Sequence, residues 1–195
     1  MEAAHAEDPR VARSKAAILE ATLELLAENG VAATTIEAIS DRSGVAKTTI
    51  YRHWPGKPEL VIAAYESLTQ AGKDPDTGSI AGDLEALAFG LTKALASGRF
   101  ASLLPTLIDA AERDPEMSKL HHRFAADREA VVHRIVAKAR SRGEIRDDLA
   151  DGEVVDLIAG PIFYRRLVAH DRLDPSSAKR LAALVSEIVA PDQKD

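Results

Sequence analysis

Residues Thr34 to Lys57, with the sequence TTIEAISDRSGVAKTTIYRHWPGK, decide the fold of this chain. They contain two short helical patterns joined by Ser43-Gly44-Val45, where the glycine gives the backbone freedom that a sharp turn between helices requires. Thr34 and Glu37 match a T-x-x-E capping box at the start of the first helix. The inward side of that helix is formed by two isoleucines, Ile36 and Ile39. The stretch therefore predicts a helix-turn-helix.

The second helix of the pair, over residues 46–54, has one apolar side and one polar side. At about 100° per residue, Ile50 shares the inward side with Ala46 and Trp54. The outward side and its flanks carry hydroxyl, guanidinium and phenol groups, from Thr48, Thr49, Tyr51 and Arg52. This helix can therefore offer hydrogen-bonding groups to a partner while its apolar side anchors it.

The distribution of charge points to the kind of partner. Residues 42–58 contain four Lys or Arg, one His and no acid. A helix-turn-helix with a basic second helix is the form that enters the major groove of DNA. The whole chain has a net charge of −6, and residues 1–57 hold seven Lys and Arg against eight Asp and Glu. A small basic surface on an acidic body predicts weak non-specific DNA binding and a strong dependence on dimerisation.

Composition favours an all-α fold of about nine helices. The chain has 195 residues, 46% of them hydrophobic, and it lacks alternating strand-like runs. Asp8-Pro9 predicts the start of a first helix that ends at Asn29-Gly30. After the helix-turn-helix and a helix beginning at Lys57, later helices are expected over about 80–97, 100–112, 115–142 and 151–170, and from Pro175 onward. Pro105 is expected to kink or start its helix.

At GVAKTTIYRHWPGKPEL, residues 44–60, the chain resembles the signature of the TetR (tetracycline-repressor-like) family of transcriptional regulators. The resemblance is specific over about residues 10–70 and looser beyond, where it depends on the number of helices and on the segment GPIFYRRLV. It implies a helix-turn-helix DNA-binding domain (10–56) and a ligand-binding and dimerisation domain (57–195), and the preceding tail (1–9) is expected to be disordered. The helix over 57–71 would connect the two domains.

The resemblance also implies which residues meet DNA. Bases or neighbouring phosphates are expected at three residues, Lys47, Thr48 and Thr49. Phosphates are expected at four others, Thr35, Tyr51, His53 and Lys57. Arg52 points outward and is expected to contact either a base or a phosphate. Two positions depart from the family pattern, because Ala46 stands where many relatives carry a capping serine and Glu37 where an arginine often touches DNA.

For the C-terminal domain the resemblance implies a homodimer, a palindromic operator and a small-molecule effector that releases the DNA. The expected lining of the effector pocket is mostly apolar, which suits a hydrophobic effector: Leu68, Phe89, Leu104, Leu107, Phe124, Phe163 and Tyr164. The helix over 151–170 is apolar over too wide an arc for a single stripe, so it is either a central core helix or a helix shared with a second copy. The expected dimer residues lie on the last two helices: Val155, Ile158, Ile162, Leu181, Leu184, Val185 and Ile188.

Other classes of function find little support in the sequence. There is no cysteine, so thiol chemistry and Cys-ligated zinc are excluded. Asp74 and Asp76 only loosely resemble a calcium loop, Ser176 and Lys179 fit a helix start, and adjacent His121 and His122 diverge on a helix. We therefore expect no metal, no cofactor and no enzymatic activity, and, without a signal peptide or an 18-residue apolar run, a cytoplasmic protein that avoids membranes.

Two alternatives to a ligand-responsive repressor remain open from the residues. The chain could be an α-helical enzyme or small-molecule carrier with an incidental helix-turn-helix, although no catalytic constellation stands out. Its helix-turn-helix could also serve contacts with another protein. Steep salt dependence and a sequence preference in DNA binding would separate a regulator from both.

Overall fold

The computed structural model describes residues 8–68 and 74–191. Within these ranges the chain forms nine α-helices and no strand, so the predicted all-α fold is confirmed. The helices are α1 (Pro9–Ala33), α2 (Ile36–Ser43), α3 (Lys47–His53), α4 (Lys57–Leu68), α5 (Ile80–Ala96), α6 (Arg99–Arg113), α7 (Pro115–Ser141), α8 (Asp151–Phe163) and α9 (Pro175–Val189). A π-helical segment, Tyr164–Val168, follows α8.

The predicted starts of α1, α7 and α9 and the predicted stop at Gly30 agree with the structure. Asp8 accepts a hydrogen bond from the Arg10 N–H at 2.8 Å, Asp114 accepts one from the Glu116 N–H at 2.8 Å, and Asp174 accepts one from the Ser176 N–H at 3.1 Å, so the starts at Pro9, Pro115 and Pro175 are confirmed. Gly30 has a φ of +73° and interrupts the helical geometry of α1, as the Asn29-Gly30 stop predicts. Pro105 lies inside α6.

The helix predicted over 151–170 differs from the observed one in two ways. Its regular part ends at Phe163, two residues after Pro161, which has no N–H to donate. The sequence separation of the hydrogen-bonded residues then increases from four to five, and the Ala169 N–H donates to the Tyr164 carbonyl. The helix is also not buried all round in the single chain, because only one side of it, Val154, Ile158 and Ile162, is buried.

The helices form two compact units. The first comprises the described residues of Met1–Gln70 together with Ser102–His122. Its core contains a cluster of apolar side chains from the first four helices: Ile18, Ala21, Leu25, Ile36, Ile39, Ile50 and Leu60. The hydroxyl of Tyr65, which is fully buried, donates to the carbonyl of Leu103 at 2.5 Å. α4 therefore packs within this unit, and the predicted division at residue 57 stays a prediction about function.

The second unit comprises the described residues of Ala71–Ala101 and Arg123–Asp195. In it α5 packs on α8 and α9. Two cations of α7 and Arg142, which directly follows the helix, are spaced four residues apart and pair with acids from the segment that precedes and begins α5. Arg134 binds Asp74 at 2.5 Å, Lys138 binds Asp76 at 2.8 Å, and Arg142 lies 3.6 Å from Asp83. We call this set of pairs the α7 ladder.

Two further predictions concern the chain as a whole. The predicted tail over 1–9 falls almost entirely outside the described residues, and its last member, Pro9, begins α1. Residues 69–71 of the predicted connector also lie outside them. None of the helices formed by the described residues combines the length and apolar character needed to cross a membrane.

Candidate nucleic-acid interface

The short helix α3 is held in place from behind by an apolar anchor. Ile50 is fully buried in the core of the first unit, where Ile18 and Ile39 are also fully buried. Trp54 and Val45 pack against this core and are partly buried. Ala46, in contrast, is exposed, so the prediction that it faces inward is wrong.

The position of Ala46 has a simple backbone cause. Its φ of −57° and ψ of 140° are not helical, because it is the N-cap of α3 and the 100° periodicity begins only at Lys47. Its side chain makes no capping hydrogen bond, as expected when alanine stands where a serine would cap the helix. The inward place that the sequence assigns to Ala46 is taken instead by Val45.

The outward side of α3 is polar and open to solvent, as predicted. Thr48, Tyr51 and Arg52 are exposed, and Thr49 is half-buried. Within the described part of the chain, none of these four side chains is engaged in a hydrogen bond or an ion pair. Their donors and acceptors are therefore available to a partner. The His53 ring lies edge-on to the Trp54 ring, with centroids 5.6 Å apart.

The turn between α2 and α3 is rigidly specified. Gly44 has a φ of +68°, in the left-handed region, and its N–H donates to the Ser40 carbonyl at 3.0 Å. The Ser40 hydroxyl reaches across the turn and donates to the Val45 carbonyl at 2.8 Å. The predicted Ser43-Gly44-Val45 turn is thereby confirmed, and it fixes the direction in which α3 leaves α2.

The cap of α2 lies one residue later than the sequence predicts. Thr35, not Thr34, is the N-cap, and its hydroxyl oxygen accepts from the Ala38 N–H at 3.1 Å. Thr34 is buried and donates its hydroxyl hydrogen to the Gly30 carbonyl at 2.7 Å, so the predicted Thr34–Glu37 capping box is wrong. Since Thr35 uses its oxygen as an acceptor, its O–H remains available to donate to a phosphate.

The charge of the 42–58 segment is partly neutralised by acids that the segment itself does not contain. Arg42 of α2 pairs with Glu24 at 3.1 Å and with Glu28 at 2.8 Å, both on α1. The hydrogen bond from Arg42 holds the pKa of Glu28 below its ordinary value of 4.5. Arg42 therefore joins α2 to α1 and adds little positive charge to the outward surface.

Two lysines of the segment also have partners. The Lys47 ammonium lies 3.1 Å from the Glu37 carboxylate, and both side chains are exposed. The Lys57 ammonium donates to the Val31 carbonyl at 3.0 Å. Because a carbonyl carries no net charge and an ammonium has three N–H groups, Lys57 keeps its charge and two donors. The sequence missed these contacts because their partners lie 10 to 26 residues away.

The predicted effector-pocket residues are divided between the two units. Leu68, Leu104 and Leu107 belong to the first unit, and Phe89, Phe124, Phe163 and Tyr164 belong to the second. Leu104, Leu107 and Phe124 are buried, whereas Phe89 and Tyr164 are 48% and 61% exposed. A cavity of about 200 Å³ in the second unit, between α5, the end of α8 and α9, is lined by other residues, including Thr92, Arg165 and Arg180. The effector pocket stays a prediction.

The predicted dimer residues fall into two groups. Ile158, Ile162 and Val185 are 2–3% exposed and belong to the core of their own unit, so they have almost no surface to give to a second copy. The others form or border an outward side: Leu184 and Ile188 are 58% and 50% exposed, and Val155 and Leu181 are half-buried. Leu181, Leu184 and Ile188 follow i, i+3, i+7 spacing and make one apolar stripe along α9.

Comparisons with known proteins agree with this arrangement of a helix-turn-helix followed by a helical region. Residues 18–64 match the family model described as "Bacterial regulatory proteins, tetR family". Residues 74–185 match the model "Tetracyclin repressor-like, C-terminal domain". The two matches together span most of the chain. The residues between them, 65–73, include the undescribed residues 69–73.

Individual relatives support the same assignment. An uncharacterized HTH-type transcriptional regulator of Mycobacterium bovis is 32% identical over 176 residues, covering 89% of this chain and 85% of that protein. The DNA-binding transcriptional repressor TetR of Mycobacteroides abscessus is 30% identical, covering 85% and 88%. A crystal structure of the TetR family transcription regulator SCO0332 has a TM-score of 0.70 and 30% identity, covering 91% and 99%. This chain therefore belongs to the TetR family, whose members are DNA-binding transcriptional repressors.

Proposed function

We propose that the protein is a homodimeric repressor that binds a palindromic operator through α3 and releases it when a small molecule binds. The observation that carries the DNA-binding part is the outward side of α3, where Tyr51 and Arg52 are exposed while Ile50 anchors the helix from behind. A helix that is fixed on one side and hydrogen-bonding on the other can keep its side chains in register with base edges.

The eight predicted contacts divide into two kinds in this proposal. Four residues, Lys47, Thr48, Thr49 and Arg52, supply ammonium, hydroxyl and guanidinium groups for base edges or adjacent phosphates. The remaining four supply donors to the phosphate backbone: Thr35, Tyr51, His53 and Lys57. Contacts of the second kind position the protein on DNA, and those of the first kind give it sequence preference.

The test of DNA binding uses fluorescence anisotropy with two duplexes, one selected for binding from a random library and one of random sequence. Tyr51→Ala and Lys57→Met should weaken binding to both duplexes, and Lys57→Met should also reduce the salt slope by about one. Ser97→Ala, in the second unit, is the matched surface control and should bind like the parent. If the parent shows no salt-dependent binding, or if both variants bind like Ser97→Ala, the proposal is wrong.

The homodimer is supported by the apolar stripe of α9. Leu184 and Ile188 are large side chains exposed in the single chain, and Leu181 continues their line. A palindromic operator presents two half-sites about one DNA turn apart and requires two copies of α3, which an isologous dimer supplies. Exposed apolar side chains arranged in one line are typical of an association surface.

Analytical ultracentrifugation tests the dimer. Leu184→Asp places a charge in the stripe and should shift the protein from dimer to monomer and weaken operator binding. Ala183→Asp introduces the same charge at an exposed neighbour on another side of α9 and should leave the dimer intact. A Leu184→Asp protein that remains fully dimeric would contradict the proposed contact.

Effector release depends on a difference in affinity between two conformations. A ligand releases the operator only if it binds the form that does not bind DNA more tightly, and equal affinity for both forms shifts nothing. We expect the effector to be hydrophobic because the pocket implied by the family is mostly apolar. A titration of operator complexes with hydrophobic compounds tests this, and affinity that never changes across the series would count against inducibility.

A further inference from the structure

The contact between Glu37 and Lys47 places an acid beside a cation of the proposed DNA-binding surface. The Lys47 ammonium and the Glu37 carboxylate are 3.1 Å apart, and their side chains are 50% and 64% exposed. Lys47 is the first residue of α3 and directly precedes Thr48. Wherever DNA approaches Lys47, it also approaches the carboxylate of Glu37.

Lys47 can exchange Glu37 for another anion more easily than Arg42 can exchange its two carboxylate partners. An exposed lysine–carboxylate pair contributes little stability, since both ions are well solvated. Arg42, in contrast, binds two carboxylates of α1 at 3.1 and 2.8 Å. A DNA phosphate can therefore replace Glu37 as the partner of Lys47 without disrupting the packing of α2 and α3, whereas release of Arg42 would break a link between α1 and α2.

We infer that Glu37 is an intramolecular competitor of DNA phosphate for Lys47 and that it lowers binding to non-specific DNA. In a loose, sequence-independent complex, affinity depends on how many phosphates are neutralised by cations. Glu37 keeps Lys47 neutralised there and repels the nearby backbone. In the operator complex, base contacts hold α3 in register, and a phosphate fixed beside Lys47 displaces the carboxylate. Glu37 thus determines specificity by weakening the competing complexes.

The inference depends on the proposed DNA-binding surface, and the experiment separates the two. Salt-dependent binding to a random-sequence duplex is measured for the parent, Glu37→Gln, Lys47→Met and the double variant. Glu37→Gln should bind random DNA several-fold more tightly, with a slope of log K against log salt steeper by about 0.9, because Lys47 now neutralises one more phosphate. Its preference for the selected duplex over random DNA should fall.

The double variant distinguishes competition from a general change in charge. If Glu37 acts through Lys47, the steeper slope of Glu37→Gln disappears when Lys47 is methionine. Asp109→Asn is the matched control, since it also removes one acid from an exposed pair, Asp109–Arg113 on α6. It should leave the slope at the parent value. Thermal unfolding of Glu37→Gln should match the parent, because both side chains are exposed.

The salt slopes of the variants decide separately on the role of Glu37 and on the proposed DNA binding. A slope of Glu37→Gln equal to that of Asp109→Asn, or a steeper slope that persists without Lys47, overturns the inference. If the parent binds DNA and Tyr51→Ala weakens it while Glu37→Gln has no effect, only the role of Glu37 fails. If no protein in the series binds DNA in a salt-dependent way, the proposed function fails as well.

Discussion

The basic segment around α3 and the α7 ladder use the same residue types for different purposes. In the ladder, each cation faces an acid: Arg134 faces Asp74, Lys138 faces Asp76, and Arg142 faces both Asp83 and Glu144. Around α3, Arg42 and Lys47 also have acidic partners, but Arg52 has neither a hydrogen bond nor an ion pair among the described residues. The ladder holds a loop to a helix, whereas α3 leaves the Arg52 guanidinium available to a partner.

This difference shows why a run of basic residues in a sequence does not by itself indicate a nucleic-acid surface. The cations of α7 lie in a helix that also contains acids, and their partners come from about 60 residues upstream. The segment over 42–58 contains no acid, yet acids from α1 and α2 neutralise part of it. The two regions differ because every cation of the ladder has an acidic partner, whereas Arg52 and Lys57 of the basic segment have none among the described residues.

The largest expected effect is a difference in DNA affinity between two variants, each of which removes one cation from one of the regions. Arg52→Gln should reduce affinity for the selected duplex by roughly 5- to 150-fold, the range for a lost base contact. Arg134→Gln removes the same charge from a cation already paired with Asp74 and should change affinity by no more than about twofold. Anisotropy titrations at one salt concentration measure both. Equal losses for the two variants would show that net charge, not the position of Arg52, controls binding.

The second largest effect is a loss of stability when Asp83, the acid of the ladder that faces Arg142, is replaced. Asp83 is fully buried, and one of its oxygens accepts from the Thr77 N–H at 2.7 Å and from the Thr77 hydroxyl at 2.9 Å. Its other oxygen has no hydrogen bond and lies 3.6 Å from Arg142. Asp83→Ala removes the acceptor for both Thr77 donors and should lower the free energy of unfolding by about 1.5–3 kcal/mol.

Urea denaturation measures this loss, and Glu112→Ala provides a surface control on α6. The control should change the free energy of unfolding by less than about 0.5 kcal/mol. Arg52→Gln should resemble the control in stability, because its side chain is exposed. An Asp83→Ala protein as stable as the parent would mean that the contacts of Asp83 do not stabilise the second unit.

Features coded by neighbouring residues could be predicted from the sequence. The Asp8 and Asp174 caps, the left-handed Gly44 and the inward side of α3 at Ile50 are each indicated by residue types within a few positions, and the structure confirms them. The family signature around Tyr51 likewise lies within one continuous stretch. Such signals need no knowledge of which distant helices meet.

Features that depend on distant partners or on exact helix starts could not be predicted. Thr34 and Thr35 are both plausible caps, and the choice is decided when Thr34 is buried and donates to Gly30. Ala46 faces solvent because α3 begins one residue later than its periodicity indicates. The pairing of Arg42 with two acids of α1 requires knowing that these helices pack side by side. Hydrophobic spacing alone also could not show which apolar residues of α8 and α9 belong to a core.

The smallest expected effect is a pH dependence of stability to which Glu144, the second acidic partner of Arg142, contributes. Hydrogen bonds from the Arg142 side chain and then from the Ile80 N–H lower the pKa of Glu144 below its ordinary value of 4.5. At pH values between the lowered pKa of Glu144 in the folded chain and its ordinary pKa, the unfolded chain binds a proton that the folded chain does not. The free energy of unfolding therefore falls as the pH decreases from about 4.5. Glu144→Gln has no such group and should show a shallower decline.

Urea denaturation repeated between about pH 6 and pH 3 measures the slope for the parent, Glu144→Gln and Arg142→Gln. Arg142→Gln should flatten the dependence too, because it removes the main cause of the lowered pKa while leaving the carboxylate in place. Lys47→Met, which disrupts the exposed pair beside α3, should retain most of the parent's slope. If instead Lys47→Met flattens the curve and Glu144→Gln does not, the acid-sensitive carboxylate lies beside α3, and the contrast between the two regions would be reversed.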